Sequence, residues 1–175
     1  MSLAEQHQLS HETRPNRFPK IFQRALNLRP VAKKILSFGC STGEECFSLA
    51  EVFPEAQIVG VDIDNWVVEQ AAVKNKYPDR ICFKTVLKQD DMFDVVFCLM
   101  VFFSLYDEYP FPFFNEALSE LDKHINPGGL LVIYTAKYNF MTTSAAKHFI
   151  PIRQWMHKHN RDQKDYFDGY FEKKK

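Results

Sequence analysis

Residues 35–45 read Ile-Leu-Ser-Phe-Gly-Cys-Ser-Thr-Gly-Glu-Glu, an apolar run followed by two glycines and two acids. The apolar run predicts a buried strand and the residues after Gly43 predict a helix, so both glycines lie in a strand-to-helix turn. In an open α/β sheet, ligands bind at the carboxyl ends of the strands, where glycine lets a ligand approach the backbone. By itself the motif is equally compatible with a tight turn that binds no ligand.

Short apolar runs alternate with helical stretches on both sides of this turn, a pattern typical of parallel βαβ units. The expected strands are 34–38, 57–62, 81–85, 94–99 and 130–135, and the expected helices are 18–28, 43–53, 64–76 and a segment around 114–121. Two further strands, 150–156 and 166–173, are expected to form an antiparallel hairpin at the sheet edge. The sequence therefore predicts an α/β fold with a Rossmann-like, doubly wound, mostly parallel sheet, flanked by helices and closed by a C-terminal antiparallel hairpin.

The chain has 175 residues, which fits one domain. Residues 1–17 are expected to be a flexible N-terminal segment, and 18–175 a single domain. Lys+Arg and Asp+Glu both number 22, so no basic excess indicates a nucleic-acid partner. The longest apolar run, 95–103, is too short to span a membrane. We expect either a monomer or a homodimer.

Four cysteines are present and none forms a Cys-x-x-Cys pair, which favours a reducing, cytoplasmic compartment. The segment His157-Lys158-His159 is expected to be an exposed turn rather than a metal site, because no carboxylate or cysteine is spaced to complete one. We therefore expect no metal.

An acid ends the second predicted strand, about 20 residues after the glycine turn, where a carboxylate can accept hydrogen bonds from both hydroxyls of a ribose. This acid is Asp62. Asp64 begins the next helix and is expected to be its N-cap. Because Asp62 lies inside the strand end, capping does not explain it, and the sequence favours it as a ribose ligand.

The charge of the turn distinguishes between nucleotides. Ser41 stands at the middle glycine of the dinucleotide fingerprint G-x-G-x-x-G. Glu44 and Glu45 open the following helix, where carboxylates would repel a pyrophosphate. S-adenosylmethionine has no phosphate and carries a sulfonium and an ammonium, which nearby acids tolerate or assist. The pattern therefore favours this methyl donor over NAD.

Over residues 34–136 the chain resembles class I, Rossmann-like S-adenosylmethionine-dependent methyltransferases. Four motifs in the family's order carry the resemblance: the glycine motif at 38–43, the acidic strand end at 61–63, the fourth-strand motif at 93–98 and the Asn-Pro-Gly-Gly segment at 126–129. Residues 39–45 also resemble chemotaxis-receptor methyltransferases, whose additional helical domain has no room in this chain.

The resemblance implies where the donor, and its product S-adenosylhomocysteine, would bind. Asp62 would hold the ribose, Ile63 would pack on the adenine, and the backbone of Cys98 would meet the amino group of the donor. The turn residues that would lie against the methionine portion are Gly39, Cys40, Ser41 and Gly43.

Glu44 is a further candidate ligand of the donor, whereas Glu45 ends a Thr-x-x-Glu sequence and is expected to form a capping box. Two positions depart from the family. Ser37 stands where an acid often precedes the glycine motif, and Lys88 stands where an acid that contacts the adenine is expected. The acids at 90–91 could replace the latter or could be plain loop residues.

Acceptor-side candidates come from the aromatic stretch 100–114 and from the end of the fifth strand. The expected wall of the substrate pocket comprises Phe102, Phe103, Tyr106, Tyr109 and Tyr138, although several of these rings could instead pack in the core. Such a lining favours a small, partly apolar acceptor. Because methyl transfer needs alignment and exclusion of water more than a dedicated nucleophile, no catalytic residue is assigned.

The leading hypothesis is an enzyme that transfers a methyl group from S-adenosylmethionine to a small-molecule acceptor. One alternative is a non-catalytic module that binds S-adenosylmethionine or S-adenosylhomocysteine. A NAD-dependent oxidoreductase is less favoured, because the glycine spacing and the acids after it oppose a dinucleotide.

Overall fold

A computed structural model of the chain describes residues 13–103, 110–158 and 164–175. Its strands are β1 (Lys34–Phe38), β2 (Gln57–Val61), β3 (Ile81–Lys84), β4 (Phe93–Leu99), β5 (Ile125–Ala136), β6 (Phe149–Lys158) and β7 (Asp165–Lys173). Its α-helices are α1 (Pro19–Leu28), α2 (Glu44–Val52), α3 (Asn65–Val73) and α4 (Phe111–Lys123). Two 3₁₀ helices, Phe140–Thr142 and Ser144–His148, follow β5.

The described strands form one sheet in the order β3-β2-β1-β4-β5-β7-β6. The first five strands are parallel, whereas β7 runs antiparallel to both β5 and β6. The predicted mostly parallel sheet with a C-terminal antiparallel hairpin is therefore confirmed. The strand order reverses direction between β1 and β4, so a crevice opens between their carboxyl ends, where ligands of such sheets bind.

Helices cover both faces of the sheet. One face packs against α4 through Phe114 and Leu121, and the other packs against α1 and α2 through Phe22 and Leu49. Strands β1 and β4 lie in the middle of the sheet and are buried on both faces, which explains their continuous apolar sequences. These packed strands fix the position of the loops at their carboxyl ends.

Strand β5 begins at Ile125, earlier than the predicted start at Leu130. The Asn-Pro-Gly-Gly segment is an irregularity inside this strand, because Phe93 pairs with Ile125 while Val95 already pairs with Leu130. A Cβ at Gly129 would lie 3.2 Å from a backbone oxygen of β4. The glycine thus allows the extra residues to pack against β4 rather than form a separate turn.

The hairpin differs from the prediction in one respect that affects the site. His157 and Lys158 lie in β6 rather than in an exposed turn, so that prediction is wrong for both, and His159 lies outside the described residues. The strand continues because Lys158 still pairs with Asp165 of β7. Alternation along β6 then directs the His157 ring towards Asp168 of β7.

The predicted flexible segment 1–17 lies mostly outside the described residues. At its end, the backbone N–H of Asn16 donates to Ser48 Oγ of α2 over 2.9 Å. Arg17 Nη2 lies 3.1 Å from the sulfur of Met100, directly after β4. These contacts attach the residues before α1 to the carboxyl edge of the sheet.

Candidate functional site at the carboxyl edge of the sheet

Strained backbone marks the carboxyl ends of three neighbouring strands. Ser41 follows β1, Met100 follows β4 and Thr135 stands near the end of β5, with φ of 49°, 59° and 58°. A non-glycine residue in this left-handed region costs about 1–3 kcal/mol, and such residues cluster at functional sites. The three together favour a ligand site at this edge of the sheet.

The glycine turn needs its glycines for two reasons. Gly39 and Gly43 have φ of 75° and 90°, and a Cβ at Gly39 would collide with the side chain of Val101. The N–H groups of Gly39 and Cys40 both donate to Val61 O, over 2.7 and 3.0 Å. The turn is therefore attached to the end of β2.

Asp62 connects the glycine turn to the end of β2. Its Oδ2 accepts from the backbone N–H of Ser41 (2.9 Å) and its Oδ1 from that of Asp64 (3.1 Å). Asp64 is the N-cap of α3, as predicted, and accepts from the Trp66 N–H over 2.9 Å. Asp62 is thus no cap, and each of its oxygens keeps a second lone pair for a ligand. Ile63, between the two acids, is half-buried.

The two glutamates after the turn have different environments. Glu44 accepts from Thr42 Oγ1 (2.6 Å) and pairs with Lys74 Nζ (3.1 Å) at the end of α3. Glu45 instead accepts from Ser37 Oγ of β1 over 2.8 Å. Gly43 is the N-cap of α2 and no side chain caps this helix, so the predicted capping box is wrong. The left-handed Gly43 turns Glu45 inward, beneath the glycine turn.

Burial raises the pKa of Glu45 to about 8, against the opposing effects of the Ser37 hydroxyl and the Arg17 guanidinium. Ser37 replaces the acid expected before the glycine motif, and Glu45 brings a carboxyl group to the same place. Burial also raises the pKa of the Cys98 thiol, and the Cys46 side chain, followed by burial, raises that of Cys40. Both thiols therefore stay protonated and are poor nucleophiles.

The donor set around the turn fits S-adenosylmethionine. Asp62 and Glu44 bring carboxylates to the start of α2, which suits a sulfonium and an ammonium and opposes a pyrophosphate. The collision that a Cβ at Gly39 would cause shows that the turn has no room for a larger residue. Within the described ranges, no group of three or more His, Cys, Asp and Glu side chains could hold a metal ion.

The predicted acceptor residues fall in two places. Phe102 is buried in the core, with its ring centroid 6.1 Å from Phe38 and 5.1 Å from Phe114. The ring of Tyr138 also packs on Phe114, at 5.7 Å. Phe103 lies instead beside Tyr166 of β7, at 5.0 Å. Tyr106 and Tyr109 lie outside the described residues, so the predicted wall as a whole stays a prediction.

Sequence reasoning missed a second polar group at this edge. His157 Nδ1 lies 3.0 Å from Asp168 Oδ2, and the His157 ring stacks on Tyr134 at the end of β5, with centroids 5.8 Å apart. No motif links these residues, because they meet only through the register of the hairpin. The one signal in the sequence was the predicted hairpin, whose second strand carries the acid Asp168 near its start.

Comparisons with known proteins agree with this geometry. The family described as a methyltransferase domain matches residues 10–169. A malonyl-[acyl-carrier protein] O-methyltransferase of Legionella pneumophila is 38% identical over 55 residues, 31% of this chain and 19% of that protein. An uncharacterized protein of Rickettsia prowazekii is 29% identical over 119 residues, 62% of this chain and 45% of that protein. The chain thus spans less than half the length of these curated relatives.

Among solved structures, the N-methyltransferase NodS from Bradyrhizobium japonicum WM9 in complex with S-adenosyl-L-homocysteine superposes with a TM-score of 0.70 at 16% identity, covering 99% of this chain and 95% of that one. At this identity the likeness shows the fold. No helix among the described residues is long and apolar enough to cross a membrane. Since the family match covers most of the sequence, the chain belongs to the methyltransferase domain family, with the class I fold and S-adenosylmethionine as its cofactor.

Proposed function

We propose that this methyltransferase transfers the methyl group of S-adenosylmethionine to a small-molecule acceptor bound at the carboxyl ends of β4 and β5. The observation that carries the proposal is the clustering of strained backbone at Ser41, Met100 and Thr135, because strain on three adjacent strands is retained where a site must be shaped. When bound, the donor supplies a methyl group that its sulfonium has already activated.

On the donor side, Asp62 would accept hydrogen bonds from the ribose hydroxyls through the lone pairs that its two backbone contacts leave. Ile63 would pack on the adenine. The Gly39–Gly43 turn would lie against the methionine portion, together with the backbone of Cys98. Of the two glutamates, Glu44 is the candidate partner for the amino group, since Glu45 is buried, bonded to Ser37 and holds its proton with a pKa of about 8.

On the acceptor side, the half-buried aromatic rings favour a small, partly apolar molecule. Tyr134 lies at the end of β5, and Phe18 packs on it edge-to-face with ring centroids 5.2 Å apart. Met100 donates its N–H to Tyr134 O over 2.8 Å, which fixes the two strand ends relative to each other. Packed side chains here align the acceptor and exclude water, which is what methyl transfer requires of the protein.

Calorimetric titration with S-adenosylmethionine, S-adenosylhomocysteine and NAD tests the donor site. We expect both sulfur nucleotides to bind and NAD not to bind. Asp62→Ala removes two hydrogen bonds to the ribose, each worth about 1.5–3 kcal/mol for a charged acceptor, so affinity should fall by 10-fold or more.

The matched control is Asp64→Ala, which removes an acid two residues away whose carboxylate caps α3. It should lower stability by about 1 kcal/mol and leave the affinity for S-adenosylhomocysteine near that of the unchanged protein. Because Asp62 also supports the glycine turn, Asp62→Asn and a melting curve of each variant separate loss of binding from loss of fold. Absence of binding by both sulfur nucleotides to the unchanged protein would overturn the proposal.

A further inference from the structure

A buried carboxylate and a half-buried imidazole meet beside the crevice. Both lie outside the glycine turn (residues 39–43), called the donor turn below because it would hold the methyl donor. Asp168 is 2% exposed, and His157 keeps 29% of its side-chain surface. Their side chains approach to 3.0 Å between Nδ1 and Oδ2. The donor site uses neither residue, and a buried acid needs a strong compensating environment.

The Asp168 carboxyl has one hydrogen bond and one close contact. The N–H of Thr135 donates to its Oδ1 over 2.6 Å, whereas its buried Oδ2 has no hydrogen-bond partner among the described residues and lies 3.0 Å from His157 Nδ1. Burial raises the pKa of Asp168, and these contacts oppose that rise. The strained φ of Thr135 directs its N–H at this carboxyl group. Strain at the end of β5 therefore serves to position Asp168.

The carboxylate oxygen 3.0 Å from Nδ1 favours one tautomer of the His157 ring. A carboxylate only accepts, so Nδ1 carries the proton and Nε2 carries the lone pair. The ring stacks on Tyr134, with 22° between the two planes, and lies 6.4 Å from the Tyr166 ring. This is the arrangement that makes a histidine an effective base.

The same contacts connect His157 to the crevice. Phe18 packs on Tyr134, and the Arg17 guanidinium lies 5.1 Å over the Phe18 ring and 3.1 Å from the Met100 sulfur. Arg17 acts electrostatically on both Glu45, which follows the glycine turn, and Tyr134, on which His157 stacks. His157 thus stands on the acceptor side of the crevice, at the same edge of the sheet as the donor turn.

We propose that His157 is the catalytic base for a hydroxylated acceptor, with Asp168 as its positioning residue. This inference rests on the proposed function. As the acceptor oxygen bonds to the methyl carbon, the carbon–sulfur bond breaks and its electron pair goes to sulfur. The acceptor's O–H proton passes to His157 Nε2, and the imidazolium pairs with Asp168 before it loses the proton to water.

The groups that face His157 are Asp168 and Tyr166 from β7, Tyr134 from β5 and, beyond Tyr134, Arg17. Tyr166 is buried and the Tyr134 ring stacks on the imidazole, so the exposed part of His157 is what this cluster presents to an acceptor. A neutral imidazole serves an acceptor that must lose a proton, as a hydroxyl group does.

The test uses 4-nitrophenol, whose absorbance reports its ionisation, as a probe of the complex with S-adenosylhomocysteine. Beside His157 the bound probe should ionise about one pH unit lower than free probe, because a neighbouring opposite charge shifts a pKa by this much or more. His157→Gln should abolish the shift and Asp168→Asn should reduce it. His148→Gln is the matched control, since His148 forms a similar pair with Asp122 (2.6 Å) at the other end of β6.

Calorimetry with S-adenosylhomocysteine accompanies each titration. If the product does not bind the unchanged protein, the proposed function fails. If the product binds but the probe ionises as it does in water, or ionises equally in His157→Gln, the assignment of His157 is overturned. With an accepted phenol, His157→Gln should lower kcat by roughly 10²–10⁴-fold and remove the rise of rate with pH, whereas a purely structural role would leave the pH profile unchanged.

Discussion

A single buried carboxyl group gives the donor turn a distinctive pH dependence. Burial raises the pKa of Glu45 to about 8, from an ordinary value of 4.5, so the folded protein binds this proton more tightly than the unfolded chain. The free energy of unfolding should therefore fall as pH rises from about 4.5 to 8. Glu45→Gln removes this dependence. By chemical denaturation, the stability of the variant relative to the unchanged protein should be about 4 kcal/mol greater at pH 9 than at pH 5.

Glu44→Gln is the control for this experiment, because Glu44 carries its charge in an ion pair with Lys74 near the surface. It should leave the slope with pH almost unchanged. Equal slopes in Glu45→Gln and in the unchanged protein would show that Glu45 is ionised throughout. The position of Glu45 could not be predicted, because successive helical residues point about 100° apart and the conformation of Gly43 decides which glutamate faces inward.

Sequence alone was more successful for residues whose role depends on near neighbours. Asp64 was predicted as an N-cap and is one, since capping involves residues only two or three positions away. His157 and Asp168 could not be paired in this way, because their contact depends on the register of two strands and on the strained N–H of Thr135. Local interactions were predictable at this site, and contacts between elements were not.

At the scale of elements, one acid ties the loop before β4 to two strands. Asp91 is buried and pairs with Lys34 of β1 (3.0 Å) and Lys84 of β3 (2.8 Å). Burial alone would raise the pKa of Asp91, but bonds from Lys84, the Lys88 N–H and Lys34 hold it far below its ordinary value. These bonds occupy most of the lone pairs of the Asp91 carboxylate. They therefore oppose the contact with the adenine that was considered for this acid.

Asp91→Asn should lower the free energy of unfolding by about 2 kcal/mol at pH 7, because charged hydrogen bonds are lost. A depressed pKa stabilises the fold above the unfolded pKa of about 3.9, and this contribution is lost as pH falls. The difference between variant and unchanged protein should therefore shrink below pH 4 in denaturant titrations. The control is Asp90→Asn at the exposed neighbouring residue, which should change the free energy of unfolding little. If both variants lost the same stability, the ion pairs of Asp91 would contribute nothing.

The order and type of the elements followed from their apolar periodicity, because each strand and helix buries a continuous set of side chains. Strand β5 shows where this reasoning failed. Proline and glycine at 127–129 predicted a turn, yet pairing of Ile125 with Phe93 extends the strand across them. The neighbouring strand β4 supplies hydrogen bonds on both sides of the irregular segment, and no local sequence pattern specifies that neighbour.

At the scale of the whole molecule, the proposed donor site is assembled from motifs far apart in sequence that meet at the reversal of strand order. This position follows from the topology of any doubly wound sheet, and was therefore predictable. The proposed acceptor side is different, since it is formed by the residues before α1, the end of β5 and the C-terminal hairpin. Its composition depends on how these peripheral elements pack, so the sequence indicated its aromatic character and missed the pair His157 and Asp168.

Because the donor site joins β1, β2 and β4, binding there should stabilise the molecule as one unit. A ligand that binds only the folded state at 100 times its Kd adds about 2.7 kcal/mol, which for a domain of this size raises Tm by roughly 5–10 °C. S-adenosylhomocysteine at that excess should produce this shift in calorimetric melting, and an equal concentration of NAD should produce none. In Asp62→Ala the shift should fall to about half or less, because a 10-fold loss of affinity leaves about 1.4 kcal/mol, whereas His157→Gln should retain it, because the histidine lies on the acceptor side. A shift with NAD, or a shift of full size in Asp62→Ala, would contradict the placement of the donor between the glycine turn and the end of β2.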